Sequence, residues 1–480
     1  MRAAKVVAAL AAFLTYSVQG WAVEVGATCS SDEPAEISSS VFLAGDWDYM
    51  DWYNSGNSTC IQMVEKISCN NVKAVQFIPT FYWMDKGAID APAGFDPTCS
   101  GPNATDGYYC YNRFNATEVD YWCYKKNQDD HTCSEVTPTQ MSDFSSNFGK
   151  CIKRAADLGL NIAINARVDD GRSLGGWRNT IDFSPTEKLG AWSYVSAILY
   201  PIVDAIKLGA NPDTKVEMVL QGEMGATVFM HPDEWVDARH LVKNRLVSDA
   251  SAGANLAADN VKIGLALNNN KLCGCIGVEI VDGDEYLRFL QANFDQYASI
   301  FDMHAIRDAF QAYDFVGVSA YVPMRKPEIE VCEFEGLMER MDEEFSYYKI
   351  TLEQLLGEGK GLHFIEFGVG GGLSSDGGEI ATTAEQAAYY PFFGRYGPYG
   401  CATDPFQMCS PNLPSTVRDY RREYYATFSK YLLGGGCKYR VEAVYIWNLA
   451  SWDVQGIYPI SFSNERSAQV NPRGYYDPVV

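Results

Sequence analysis

The chain has 480 residues, of which 47% are hydrophobic and 13% aromatic, so it holds enough apolar material for a large core. Its 38 basic and 61 acidic residues give a formal net charge of −23 at pH 7. A surface of that sign repels phosphate backbones, which argues against nucleic acid as a partner and disfavours anionic polysaccharides. A neutral glycan meets no such electrostatic penalty.

The N-terminus has the pattern of a secretory signal peptide. Arg2 and Lys5 precede an apolar run over residues 6–18, and Gly20 and Ala22 supply small residues for cleavage. We predict a signal peptide over residues 1–22 and a chain that is secreted to the extracellular space or cell wall. A membrane anchor is the alternative, but the apolar run is short for a span. No later stretch predicts a transmembrane helix, so we expect no membrane partner.

Cysteines and sequons agree with that compartment. Fourteen cysteines behind a signal peptide predict disulfides, although their pairing cannot be read from the sequence. The Cys273-Gly-Cys275 segment would also suit a metal, but no histidine pair is close in sequence and a disulfide is favoured. Acceptor sequons at Asn57, Asn103 and Asn115 predict a glycoprotein.

Eight short apolar runs are predicted as strands, and most are nearly continuous, as buried parallel strands are. They cover residues 40–45, 72–80, 160–168, 215–222, 261–267, 313–321, 361–368 and 441–448. Helical patterns lie between several of them, over residues 141–160, 192–209, 232–250, 382–393 and 417–436. Eight β-then-α units favour the α/β class and a (β/α)8 TIM barrel. The alternative, an open doubly wound sheet, would want a glycine-rich turn after the first strand, and none follows it.

Two long insertions interrupt the single catalytic-type domain predicted over residues 23–480. They cover about residues 84–138 and 394–414, and both contain cysteines that would staple them by disulfides. The first comes after a strand and before a helix, which predicts a position on the C-terminal face of the barrel, where barrel enzymes place their sites. The face on which the second lies stays open.

Two glutamates come at strand ends. Glu223 follows the fourth predicted strand and Glu366 lies at the end of the seventh. Strands four and seven are opposite each other in a barrel, so these carboxylates can face each other over a ligand. Glycosidic cleavage needs such a pair, one carboxyl to protonate the leaving oxygen and one carboxylate to attack or stabilise the sugar. For either glutamate alone, an exposed or ion-paired carboxylate is the alternative.

Aromatic residues also fall at or after strand ends, among them Trp83, Trp177, Tyr321 and Trp447. Sugars stack their C–H faces on aromatic rings, although core packing is the alternative for each ring. The five histidines have no zinc-binding spacing, and neither a nucleophile elbow nor a phosphate loop is present. We therefore predict no metal and no organic cofactor.

Several of these segments together resemble the clan A glycoside hydrolases, and most of all glycoside hydrolase family 113 and related β-mannanases. They include "VEMVLQGEMG" at strand four, "YDFVGVSAYVPM" at strand six, "HFIEFGVGG" at strand seven and "VYIWNLASWD" at strand eight. The resemblance implies a (β/α)8 barrel, an acid/base at Glu223 and a nucleophile at Glu366. It further implies that Tyr321 hydrogen-bonds the nucleophile.

For substrate binding, the resemblance implies Trp447 beneath the sugar, with Asn448 beside it, and a contact from Trp177 and Arg178. One departure concerns Gly222, because much of the clan has asparagine at the position before the acid/base. The family-113-like branch tends towards glycine there. The departure therefore leaves activity possible and bears on the choice of sugar.

The sequence as a whole predicts a secreted, monomeric glycoside hydrolase. It would cleave β-linked bonds of a neutral polysaccharide or oligosaccharide, with mannan favoured, and would retain the anomeric configuration. Two alternatives remain open. One is a non-catalytic glycan-binding or extracellular-matrix barrel, and the other is a transglycosylase that uses the same carboxylates.

Overall fold

The structure is a computed structural model, and it describes eleven stretches of the chain. These are residues 37–44, 58–68, 72–86, 119–127, 132–171, 177–249, 253–269, 271–277, 283–369, 383–389 and 415–449. The predicted signal peptide, the acceptor asparagines of the three sequons and the second insertion lie outside them. Within these stretches, no helix is both long enough and apolar enough to cross a membrane.

Eight parallel strands form a closed barrel, which confirms the predicted fold. Each strand pairs with the next along the chain, and the first pairs with the second and also with the last. The strands are β1 (Ile37–Ala44), β2 (Ala74–Asp85), β3 (Asn161–Asn165), β4 (Val216–Val219), β5 (Val261–Asn268), β6 (Phe315–Ala320), β7 (Gly361–Phe367) and β8 (Ala443–Leu449).

Helices lie between the strands along the chain. They are α1 (Thr59–Ser68), α2 (Pro138–Asp157), α3 (Tyr200–Gly209), α4 (Gly225–Met230), α5 (Pro232–Val247), α6 (Gly283–Tyr297), α7 (Met303–Ala312), α8 (Gly336–Tyr347), α9 (Leu352–Gly357), α10 (Ala384–Tyr389) and α11 (Ser415–Leu433). The helices between β5 and β7 were not predicted. Their signal is present nevertheless, since Leu337, Met341 and Phe345 recur every four residues and are buried.

Local sequence fixes where helix α2 begins. The Thr137 hydroxyl accepts a hydrogen bond from the Gln140 amide, and the Gln140 side chain accepts one from the Thr137 amide. This reciprocal cap satisfies two amides that the first turn leaves unpaired. A disulfide between Cys60 and Cys151 then joins α1 to α2.

The first insertion lies at the C-terminal end of β2, as predicted. β2 continues to Asp85, and its last residues pair antiparallel with the strand Val119–Cys123. A disulfide joins Cys123 to Cys133 within the insertion. The Cys273–Cys275 disulfide confirms that the segment around Gly274 holds a disulfide, and a further disulfide joins Cys332 to Cys437.

Strand β7 contains an irregularity that positions its glutamate. The pairing with β6 shifts after Val318, so that Glu366 rather than Ile365 lies opposite Ser319. Ile365 packs in a cluster inside the barrel, while Phe367 stacks on the aromatic residues of α11. The extra residue breaks the two-residue alternation of the strand. It thereby allows Glu366 to follow an inward residue and still face the other strand ends.

Candidate active site

Two buried carboxylates lie at the C-terminal end of the barrel. Glu223 comes four residues after the end of β4, and its exposed fraction is 6%; Glu366 lies in β7, with 4% exposed. Burial and, to a smaller extent, the charge of Glu223 raise the pKa of Glu366, which lies at about 8 instead of the usual 4.5. The carboxylates are therefore electrostatically coupled, as the sequence predicts for residues across the mouth of the barrel.

Glu223 is held at both of its carboxylate oxygens. Nη1 of Arg178 donates to Oε2 at 2.7 Å, and Nδ2 of Asn268 donates to Oε1 at 2.9 Å. The backbone of Glu223 adopts a left-handed conformation, with φ of 58°. Such a conformation is uncommon for a residue other than glycine and recurs at functional sites.

Gly222 lies where the backbone leaves no room for a side chain. A Cβ at residue 222 would lie 2.7 Å from Oδ1 of Asn165 and 3.1 Å from the carbonyl oxygen of Ala166. The Gly222 amide also donates to that carbonyl at 2.7 Å. The chain after β4 therefore passes so close to the end of β3 that a side chain has no room.

Glu366 faces a different set of donors. The Tyr321 hydroxyl donates to Oε2 at 3.1 Å, and Nη1 of Arg167 lies 4.0 Å from Oε1. The charges of Arg167 and Arg178 and the hydrogen bond from Tyr321 all lower the pKa of Glu366, but less than burial raises it. This environment therefore favours the protonated form of Glu366.

A third carboxylate connects the two arginines. Oδ1 of Asp169 accepts from Nη2 of Arg178 at 2.6 Å and from Nε of Arg167 at 3.2 Å. The Arg167 guanidinium also lies over the Trp447 ring, 5.1 Å from its centroid. Three carboxylates and two guanidinium groups thus form one cluster, whose formal charge is −1 when all are ionised (2 − 3 = −1).

The remaining predicted residues differ in where they lie. Trp177 is half-buried, and Nζ of Lys271 is 5.5 Å from its ring centroid. Trp83 is fully buried in the main hydrophobic core, and its contact with substrate stays a prediction. The structure does not describe the side chain of Asn448, so its predicted role stays a prediction.

Sequence reasoning missed three residues that contact the predicted carboxylates or their partners. Arg167 and Asp169 belong to the short strand Arg167–Asp170, which continues β3 after a one-residue break and pairs with β2. Their two-residue spacing places them on one face, and that spacing was a usable signal. Asn268 ends β5, next to the strand that leads to Glu223, and its position at a strand end was the only hint.

The arrangement is suited to acid, base or nucleophilic chemistry by carboxylates. Two buried carboxyls with different partners can hold one proton between them, which is the condition for one to donate while the other attacks. Across the described stretches, no group of His, Cys, Asp or Glu is arranged to hold a metal ion.

Comparison with known proteins gives structural similarity at low sequence identity. No family model and no curated protein matches the chain. It is similar to a family 113 β-mannanase from Alicyclobacillus acidocaldarius, with a TM-score of 0.41, 12% identity and 88% of each chain covered. A complex of a family 113 β-1,4-mannanase gives a TM-score of 0.40 at 10% identity and covers 86% of this chain and 88% of the other. A β-glucosidase from Exiguobacterium marinum gives 0.33 at 12% identity, covering 86% and 88%.

Proposed function

We propose that this protein is a secreted glycoside hydrolase that cleaves β-linked bonds of a neutral glycan with retention of configuration. Glu223 is the acid/base and Glu366 the nucleophile. The observation that carries the proposal is the coupled, buried pair of carboxylates at the mouth of the barrel, each with its own hydrogen-bond donors. The resemblance to β-mannanases favours mannan as the glycan.

The donors around Glu366 suit a nucleophile. Tyr321 and Arg167 both stabilise the ionised form, one by a hydrogen bond and the other by charge. They also orient the carboxylate for attack on the anomeric carbon. Departure of the aglycone oxygen then requires a proton, which the carboxyl of Glu223 delivers; the same residue later takes a proton from water.

Turnover requires the shared proton to move. Arg178 is paired with Glu223, and burial favours the protonated form of Glu366. We infer that a glycosidic oxygen arriving at Glu223 displaces Arg178 from it. The proton is then held by Glu223, while Glu366 ionises beside Tyr321 and Arg167. This redistribution places the acid and the nucleophile in their working states.

The charges of the site fit a neutral sugar. Arg167 and Arg178 are each engaged with carboxylates, and the cluster that they form with Asp169, Glu223 and Glu366 has a formal charge of 0 when it holds one proton (2 − 2 = 0) and −1 when it holds none. Neither state has the net positive charge that would favour a uronic acid. The Trp447 ring beside Arg167 offers an apolar face on which a sugar stacks.

The first test is release of reducing sugar from mannan, glucan and xylan. We expect the wild type to act on at least one of them, with mannan first. The Glu366→Gln and Glu223→Gln variants should each lose about 1,000-fold or more in kcat, because each removes a group that the transition state requires. Equal activity in Glu366→Gln and the wild type would contradict the assignment.

A second experiment distinguishes the two roles. A 2-fluoro glycoside of the active sugar traps the covalent intermediate, and peptide mass spectrometry identifies the labelled glutamate. We expect the label on Glu366. Because the ligand-free site favours a protonated Glu366, a label on Glu223 would show that the roles are reversed.

The non-catalytic alternative gives a different result. A glycan-binding barrel would bind an oligosaccharide with the same affinity in the wild type and in Glu366→Gln, and would release no sugar from any panel. Product analysis separates the transglycosylase, because longer oligosaccharides would accumulate from a single starting length.

A further inference from the structure

Asp169 connects the environments of the two proposed catalytic carboxylates, although it contacts neither in the hydrogen bonds described above. Its Oδ1 accepts hydrogen bonds from Nη2 of Arg178 and from Nε of Arg167. Nη1 of Arg178 donates to Glu223, and Nη1 of Arg167 faces Glu366. One carboxylate oxygen thus fixes two cations, and each cation faces one member of the pair.

Both arginines also have contacts with groups other than Asp169. Arg178 has one further hydrogen bond, from Nε to the Val168 carbonyl at 3.0 Å. Arg167 lies over the Trp447 ring, which restrains the plane of the guanidinium but does not direct its nitrogens. Hydrogen bonds between guanidinium and carboxylate groups have defined directions, so the contacts with Asp169 give both side chains a fixed direction.

We propose that Asp169 is a positioning residue that holds the guanidinium groups of Arg167 and Arg178, so that one faces each of the two carboxylates. This inference rests on the proposed function. The inference extends that function, because Asp169 retains Arg178 when the glycosidic oxygen displaces that arginine from Glu223. Without Asp169, the released cation would keep its hydrogen bond to the Val168 carbonyl but lose the ion pair that directs Nη2.

The position of Asp169 suits that role and makes it testable. Its side chain is 29% exposed, whereas those of Glu223 and Glu366 are 7% and 6% exposed. A partly exposed carboxylate at the end of a strand contributes little to the core, so its replacement should leave the fold intact. Asp204 is a matched control, because it pairs with Arg245 at 2.7 Å and is 23% exposed, but lies on helix α3, outside the cluster.

The direction of the change in the pKa of Glu366 separates positioning from simple electrostatics. The groups that face Glu366 are Glu223, Tyr321, Arg167 and Arg178. If Asp169 holds the arginines in place, then Asp169→Ala frees them, and the pKa of Glu366 should rise by about one unit. If Asp169 acted only through its charge, removing that charge would lower the pKa of Glu366.

The measurement is an infrared titration of the protonated carboxyl band, assigned to Glu366 by its absence in Glu366→Gln. We expect a rise in Asp169→Ala, a smaller rise in Asp169→Asn, a value close to wild type in Asp169→Glu, and no change in Asp204→Asn. An unchanged or lowered pKa in both Asp169→Ala and Asp169→Asn would overturn the proposal. The same holds if Asp204→Asn gives an equal shift.

Kinetics supply a second readout on the substrate that the wild type cleaves. We expect Asp169→Asn to lower kcat by about 10-fold to 100-fold while KM changes by less than about 3-fold, because misplacing a catalytic group affects the transition state more than the ground state. Loss of affinity with unchanged kcat would contradict positioning. The infrared titration does not need turnover, so it tests Asp169 even if no glycan is cleaved and the proposed function fails.

Discussion

The backbone of Glu223 is an unusual feature at the scale of single residues. Its φ of 58° lies in a region that disfavours L side chains, because Cβ approaches the carbonyl oxygen. Gly222, directly before it, is absent from the positive-φ residues of the described chain and serves close approach to Asn165 instead. A residue with a polar, charged side chain therefore occupies the position that glycine would suit best.

We predict that Glu223→Gly is more stable than Glu223→Ala by about 1 kcal/mol. Both variants lose the carboxylate and its bonds to Arg178 and Asn268, so the difference between them isolates the backbone. In helices and strands the order is the reverse, because glycine loses more conformational entropy. Urea unfolding of the two variants at one pH measures the difference, and a more stable alanine variant would show that the left-handed conformation is absent in solution.

The residues of the site were only partly predictable. Glu223, Glu366 and Tyr321 fall at strand ends in segments that resemble a known family, and the structure brings them into one cluster with Arg178 and Trp447. Asp169 was missed because one aspartate among many acidic residues carries no signal by itself. Its role depends on contacts with Arg167 and Arg178, and such contacts exist only once strands β2 and β3 are paired.

At the scale of elements, alternation within a strand misleads at β7. Counting from Ile365, which packs inside the barrel, a two-residue period would direct residue 366 outwards, towards the helices. The register shift after Val318 changes that outcome. Sequence patterns do not mark such irregularities, because the deciding factor is the pairing with the neighbouring strand. The resemblance was therefore a better guide to Glu366 than the pattern of the strand.

The disulfide between helices α1 and α2 should be a major source of stability. Cys60 and Cys151 are fully buried and 91 residues apart in sequence, so the bond restricts a long loop in the unfolded chain. We predict that replacing both by alanine lowers the free energy of unfolding by about 2 to 5 kcal/mol, measured by urea denaturation.

The Cys273–Cys275 bond provides the comparison for that prediction. It spans two residues in sequence, so it removes far fewer unfolded conformations. We expect the double alanine variant at these positions to lose less stability than the variant at Cys60 and Cys151. A larger loss would mean that local packing around the loop, rather than loop length, decides the contribution of these disulfides.

At the scale of the whole molecule, buried carboxyls with raised pKa values link stability to pH. Burial raises the pKa of Glu366 to about 8 and that of Glu344 to about 7. Between pH 4.5 and these values the native state keeps protons that the unfolded chain has released, so stability falls as pH rises. The pKa of Glu442 is lowered to about 2, mainly by a hydrogen bond with His363. Glu442 therefore changes the stability only below pH 4.5, outside the range in which Glu366 and Glu344 act.

We therefore predict that the free energy of unfolding falls from about pH 5 to about pH 8, by up to about 1.4 kcal/mol per pH unit for each such group. Glu366→Gln should remove the part of the slope that extends to pH 8, and Glu344→Gln the part that ends near pH 7. Denaturant titrations across this range measure both. If the slope in Glu366→Gln matched that of the wild type, Glu366 would titrate at an ordinary value in the folded protein.

The barrel itself was the most predictable part of the molecule. Parallel strands buried on both faces appear as continuous apolar runs, and all eight predicted runs overlap a barrel strand. Their ends differ by a few residues, most of all in β2, which extends to Asp85 to pair with the first insertion. The end of a strand depends on the segment that it pairs with outside the barrel, and the apolar pattern of the strand does not reveal that segment.

The left-handed backbone at Glu223 also has an evolutionary consequence. A lineage released from selection for the proposed activity would relieve the unfavourable backbone by replacing this glutamate with glycine, since the fold itself does not favour a side chain there. The backbone therefore favours glycine at this codon, whereas the proposed activity favours glutamate. Among descendants of this chain, a glutamate kept at that codon would record continued selection for its carboxylate, and a glycine would mark a barrel that had lost the proposed activity.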